Sequence, residues 1–249
     1  QEFSRGRLIE KMEKFYRILI SKRMNLQICT LIAMLEAYSD LGILEKMEKM
    51  YAKVLNANVY IKDYLIRKMA NVYIQHCRFP RLDEFGNEIG SKNGRTELVW
   101  CILLLSAVGL SSKRGINSIK QEMVRGKVRL STTFTSIFAL FYLKMRDFKA
   151  LNAVFSEAMK QRVEPDIIMV GILFDACSVG YNCKYVLEKW RSYGWLEETA
   201  EMRTDPLVMS AFGKGSFILK CEEVYTSLGS KAKEKKIWKY DDLIKLFFV

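Results

Sequence analysis

The sequence predicts an all-α fold, a right-handed superhelical solenoid of stacked helix-turn-helix repeats of about 35 residues. Three observations carry this. One anchor position recurs at Tyr38, Tyr73, Val108, Tyr142, Cys177, Phe212 and Phe247, in steps of 35, 35, 34, 35, 35 and 35. Only three prolines interrupt the 249 residues and the glycines fall largely at segment ends, which permits long helices and disfavours a turn-rich β fold. Between the ladder positions, apolar residues are spaced three and four apart, as on a helix with one buried face.

The repeat is also visible as sequence. Glu10-Lys-Met-Glu-Lys-Phe-Tyr16 returns as Glu45-Lys-Met-Glu-Lys-Met-Tyr51, and Met34-Leu-Glu-Ala-Tyr38 aligns with Met69-Ala-Asn-Val-Tyr73 at the same offset of 35. Thirteen residues beyond the ladder stands a second anchor, Tyr51, Phe155, Trp190 or Tyr225, with Tyr16 in the same place at the start. Two helices of roughly 12 to 14 residues and their turns fill such a period. Six units result, 28–62, 63–97, 98–131, 132–166, 167–201 and 202–236. Residues 1–27 supply a second helix alone and 237–249 a first helix alone, so the chain looks like a piece of a longer array. Asp205-Pro206 reads as an N-cap with a first-turn proline, and Gly42, Gly180 and Gly215 as stops of first helices. Tyr38, Tyr73, Tyr142, Phe212, Trp190 and Tyr225 are expected in the core. In the second unit Asp83 to Glu97 carries three glycines and few apolar residues, which predicts a short or frayed helix.

Charge and composition narrow the function. Forty Lys and Arg stand against 28 Asp and Glu, a formal charge of +12 that favours a polyanionic partner. The longest apolar stretch, Leu98 to Leu110, is thirteen residues, whereas a bilayer span needs roughly 20, so no membrane span is expected. Six cysteines form no CxxC pair, and Cys29, Cys101 and Cys177 lie in apolar runs where a thiol serves as a small core residue. A reducing compartment is the expectation. His76 is the sole histidine and follows an apolar run, which suits a helix end better than a catalytic base. Neither a phosphate loop nor a histidine-based zinc site can be built, and Asp241-Asp242 suits a helix end. No catalytic residue, metal or cofactor is expected.

Two superfamilies of helical hairpins have this period. The tetratricopeptide one needs small residues where its helices cross, and those places hold Leu35, Phe174 and Met209 in first helices and Met47, Leu151 and Val186 in second ones. The fourth unit, from Thr133-Phe-Thr-Ser-Ile-Phe to Arg162-Val-Glu-Pro-Asp166, instead closely resembles the pentatricopeptide repeat. Ala211-Phe-Gly-Lys-Gly-Ser-Phe217 with Glu222-Glu-Val-Tyr225 is similar to it too. The resemblance is to a short, degenerate, P-class plant array; it covers the chain by period and the fourth unit in detail. It implies import into an organelle, the chloroplast before the mitochondrion, and non-catalytic binding of single-stranded RNA in intron splicing or transcript stabilisation. Other splicing or RNA-processing proteins are implied partners. The import peptide is not among these residues, and nothing resembles the nuclease or deaminase extensions of some members.

In that family a first-turn residue of the first helix and the last residue of the repeat contact one base. The pairs implied here are Ile32 with Lys62, Arg67 with Glu97, Ile102 with Ser131, Ser136 or Thr135 with Asp166, Gly171 with Glu201, and Pro206 with Lys236. Only the fourth, with Thr133 beside it, is a legible base reader, because RNA sequence is read on unstacked bases by edge hydrogen bonds and stacking. Lys113, Arg114, Lys120, Arg125, Lys127 and Arg129, opposed only by Glu122, are the expected phosphate contacts, and Lys231, Lys233, Lys235, Lys236 and Lys239 form a second basic cluster. The competing reading is a protein-interaction scaffold.

Overall fold

A computed structural model describes residues 2–22, 27–57, 59–227 and 238–245, with side chains in the first helix from Leu8 onward. Among these residues there are fourteen α-helices, one 3-10 turn and no strand, the only extended pairing being a single bridge between Thr199 and Lys239. The fold is an all-α helical repeat. The chain divides into two compact units, with the boundary between Ile102 and Leu103 inside one helix, α6 (Glu97–Gly109).

The first unit contains α1 (Glu2–Ser21), α2 (Ile28–Asp40), α3 (Leu44–Asn56), α4 (Asp63–Gln75), α5 (Phe79–Asn93) and the start of α6. Its core is an interleaved row of Leu35, Met47, Tyr51, Val54, Met69, Tyr73 and Phe85, all buried. The Phe85 ring meets Tyr51 edge-on at 5.3 Å and Tyr73 at 5.4 Å between centroids. The Arg81 guanidinium lies over both tyrosine rings and reaches Glu48 and Glu88, each at 3.0 Å. Such a cation between aromatic faces and carboxylates ties α3 to α5 through charge as well as packing.

The second unit contains the rest of α6, then α7 (Lys113–Arg125), α8 (Thr132–Lys144), α9 (Phe148–Lys160), α10 (Ile167–Ser178) and α11 (Lys184–Ser192). A 3-10 turn (Trp195–Glu197), α12 (Pro206–Phe212), α13 (Ser216–Ser227) and α14 (Tyr240–Lys245) follow. Caps fall where the sequence offers them: Ser112, Ser131, Asp147, Asp166 and Asp205 each accept a backbone N–H from the first turn of the next helix. Phe155 packs edge-on against Trp190 at 5.8 Å, and Phe174 stacks on Phe217 at 5.1 Å.

The period is written in the backbone. The first helices of the first five units close on a left-handed residue, at Gly42, Cys77, Ser111, Arg146 and Gly180. In every case the next residue's N–H bonds back to the ladder region, as Ile43 to Tyr38 O at 3.0 Å and Asp147 to Tyr142 O at 2.9 Å. That bond ends the helix and turns the chain into its partner. Three of the five positions hold residues with a Cβ, so the repeat geometry overrides local preference there.

Three expectations need correction. The glycine-rich segment of the second unit is no frayed end: α5 runs fifteen residues, because Leu82, Phe85 and Ile89 share one buried face and Gly90 admits the Val99 side chain. The first helix of the sixth unit begins at Pro206, as the Asp205-Pro206 cap predicts, and the residues before it are held by Ala200 N–H bonding to Trp238 O at 2.7 Å. Tyr38, Tyr73, Val108 and Tyr142 are buried, but Phe212 is half-buried and Tyr225 exposed, Phe217 having taken the inward face of α13. Phe247 lies outside the described residues. Cys177 is no core thiol either: it is joined to Cys183 across the left-handed turn at Gly180, with Cα atoms 6.0 Å apart.

Candidate nucleic-acid interface

The four residues expected to read a base lie together in the second unit. The α8 register places Thr133, Thr135 and Ser136 on its first turn, and Asp166 precedes α10 as its N-cap. All four are buried, Asp166, Thr135 and Ser136 completely. Their partners are protein. Asp166 Oδ1 accepts from Met169 N–H at 2.9 Å, and Oδ2 accepts from the backbone N–H groups of Arg203 at 3.0 Å and Thr204 at 2.8 Å. Ser136 Oγ meets Thr204 Oγ1 at 3.2 Å, and Thr133 Oγ1 accepts from Asp205 N–H at 3.0 Å. Thr135 bonds to Ser131 O in its own helix at 2.9 Å.

The carboxylate and the Thr133 and Ser136 hydroxyls therefore face the 201–205 segment rather than solvent, while Thr135 is bonded within its own helix. The physical reason is that a buried carboxylate needs donors, and the chain supplies three backbone N–H groups from two directions. Glu201, implied above as the partner of Gly171, and three residues that sequence reasoning did not single out, Arg203, Thr204 and Tyr240, complete the site. Glu201 O accepts from Ile167 N–H at 2.9 Å, and the buried Tyr240 hydroxyl lies 3.2 Å from Glu201 N. Burial pushes the Tyr240 hydroxyl above its ordinary pKa. The Arg203 side chain pairs with Glu164 at 2.6 Å and Glu198 at 3.7 Å. No spacing rule could have announced these contacts, although Asp205-Pro206 marks where the segment ends.

The other implied pairs are less alike still. Ile102 is buried, and a Cβ on Gly171 would come within 3.3 Å of the Ile218 side chain on α13. Ile32 and Arg67 are half-buried, Lys62 and Glu97 exposed. Lys236 lies outside the described residues.

The basic stretch is on the surface. Lys113, Arg114, Lys120, Arg125, Lys127 and Arg129 are all exposed, along α7 and the turn that follows it. Lys113 pairs with Asp147 at 3.5 Å and Lys120 sits 5.9 Å above the Phe138 ring. A shallow cleft lined by Asn117, Lys120, Gln121, Val124 and Arg125 runs along the same face. Of the second basic cluster only Lys239 is described, and it is exposed; Lys231, Lys233, Lys235 and Lys236 lie outside the described residues. His76 caps α4, its Nε2 2.9 Å from Gly42 O. Among the described residues no cluster of three metal-ligating side chains occurs, and no helix is long and apolar enough to cross a membrane.

Comparison with known proteins is consistent with this architecture. No family model matches the chain. It is 42% identical over 179 residues to a chloroplastic pentatricopeptide repeat-containing protein of Arabidopsis thaliana, covering 71% of this chain and 36% of that relative. It resembles the crystal structure of the pentatricopeptide repeat protein PPR10 in complex with an 18-nt psaJ RNA element, at TM-score 0.57 and 16% identity, over 96% of this chain and 35% of that one. A PPR10 variant with three cysteines changed to serine, bound to the same RNA element, superposes equally well, at TM-score 0.57. The chain thus spans about a third of the length of the proteins it matches. Repeated α-hairpins on a 35-residue period, a relative 42% identical and the shared helical-repeat fold together make this chain a member of the pentatricopeptide-repeat family.

Proposed function

We propose that this chain binds single-stranded RNA as a non-catalytic part of organellar RNA processing, such as intron splicing or transcript stabilisation, in the chloroplast. The observation that carries the reading is the row of exposed cations from Lys113 to Arg129 on a pentatricopeptide-repeat framework whose net charge is +12. Phosphates are the partner this charge suits, since each neutralised phosphate releases counterions and adds affinity without regard to sequence. The chloroplast location follows the named relative. Base reading at Asp166 with Ser136 or Thr135 is part of the proposal, and it requires the 201–205 segment to move off the site.

A salt titration of binding to a generic single-stranded RNA tests it. Affinity should fall steeply, by roughly 0.7 in log-log slope for each phosphate contact. Absence of binding, or affinity indifferent to salt, would instead favour a protein-interaction scaffold.

A further inference from the structure

We infer that the Glu201–Asp205 segment is an internal competitor for the base read at the fourth repeat, occupying the Asp166 site until RNA displaces it. The inference rests on the RNA-binding reading above and adds to it a gate on specificity. Its basis is chemical likeness. An ionised carboxylate only accepts hydrogen bonds, and the base edge that suits it is guanine's, which offers a ring N–H beside an exocyclic amine. The Arg203 and Thr204 amides present the same thing, two adjacent N–H donors aimed at Asp166 Oδ2 from 3.0 and 2.8 Å. The Thr204 hydroxyl then occupies Ser136, and Asp205 N–H occupies Thr133, so the segment satisfies Asp166, Ser136 and Thr133, the groups that face an incoming guanine, while Thr135 stays bonded to Ser131 O.

The segment is held by contacts that a nucleic acid could replace and by others that it could not. Inside, Thr204 is buried with Asp166 and Ser136. Outside, the Arg203 side chain latches onto Glu164 and Glu198, all three partly exposed and therefore weakened by salt. At its N-terminal end the segment is anchored to the start of α14, through Ala200 N–H to Trp238 O and the Tyr240 hydroxyl beside Glu201. The anchor keeps the segment near the site after release, so the exchange is reversible and intramolecular. Only a ligand that presents donors to Asp166 repays its displacement, which makes the gate select for guanine and pass over bases that bring an acceptor.

The test uses the full chain and two probes, an oligouridine and the same oligouridine carrying one guanosine. Hydrogen exchange at the Arg203 and Thr204 amides is followed with and without each RNA. The expected result is loss of protection at both amides with the guanosine RNA and retention with oligouridine alone. Arg203→Glu, which sets a negative charge against Glu164 and Glu198, should raise the guanosine-over-uridine affinity ratio by about tenfold. Tyr240→Phe, which loosens the anchor without changing charge, should raise it in the same direction and guards against a misfolded first variant. If RNA binds with a salt-dependent affinity while both amides stay protected and neither variant changes the ratio, the gate is overturned and the RNA-binding reading stands. If neither RNA binds the parent or the variants, the RNA-binding reading fails and the gate with it.

Discussion

A Cβ placed on Gly215 would collide with Oδ2 of Asp175, forty residues earlier on α10. The approach is this close because Asp175 Oδ1 accepts the Phe217 N–H at 3.2 Å and so caps α13 from another helix. Gly215→Ala must push the carboxylate away from that amide, at an expected cost of about 1–2 kcal/mol, the usual value of a lost cap. Chemical denaturation checks it. In an Asp175→Ala background the Gly215→Ala cost should disappear, and an unchanged cost would refute the coupling.

The same carboxyl makes stability depend on pH. Burial raises the Asp175 pKa against the opposing hydrogen bonds from Phe217 and Ser216. A carboxyl with a folded pKa above its unfolded one, ~3.9, contributes stability that is complete below the unfolded value and is lost as pH rises through the folded value. Asp175→Asn removes this term. The difference in denaturation midpoint, variant minus parent, should therefore grow in favour of Asn between pH 4 and pH 7, and a constant difference would contradict the assignment.

Asp166→Asn is expected to destabilise the second unit first and alter base preference second. Its carboxylate accepts three backbone N–H groups, whereas an amide turns an NH2 toward some of them. A loss on the order of 1–3 kcal/mol follows from leaving buried donors unpaired, read as a lower thermal midpoint. An amide offers an acceptor beside a donor, which suits adenine's edge, so the exchange should move base preference from guanine toward adenine, and only when Arg203→Glu is also present.

Arg146 closes α8 with φ of 52°, a conformation that costs a residue with a Cβ about 1 kcal/mol. Set against the added freedom of the unfolded chain, about 0.4–1 kcal/mol, this strain lets Arg146→Gly raise stability by up to ~0.6 kcal/mol. Arg146→Ala, which keeps the strain, serves as the control. An Arg146→Gly variant less stable than Arg146→Ala by ~0.4–1 kcal/mol would show that the turn is not strained.

Replacing Arg125, Lys127 and Arg129 together with Gln should weaken binding to unrelated single-stranded RNAs alike and flatten the salt dependence by roughly 0.7 per lost contact. All three are exposed, so the fold should melt as the parent does. An unchanged salt slope would place the RNA path elsewhere on the molecule.

The sequence by itself determined the repeat, because a 35-residue recurrence of Tyr38, Tyr73, Val108 and Tyr142 leaves each hairpin an apolar face that only a neighbouring hairpin can bury. The Asp205 cap was legible for the same reason: it acts within a turn of itself. The full length of the helix at Phe79–Asn93 was not legible because its Gly90 suits a close approach to Val99, which is a property of the neighbour and not of the segment. The pairing of Cys177 with Cys183 depended on the fold of the turn between them. The state of the fourth repeat was likewise decided by tertiary structure. Whether Asp166 meets a base or the Thr204 amide depends on a segment 38 residues away that carries no motif, whose donors are main-chain groups every residue possesses. Side-chain patterns can declare which carboxylate wants donors, but only the folded chain decides which donors arrive.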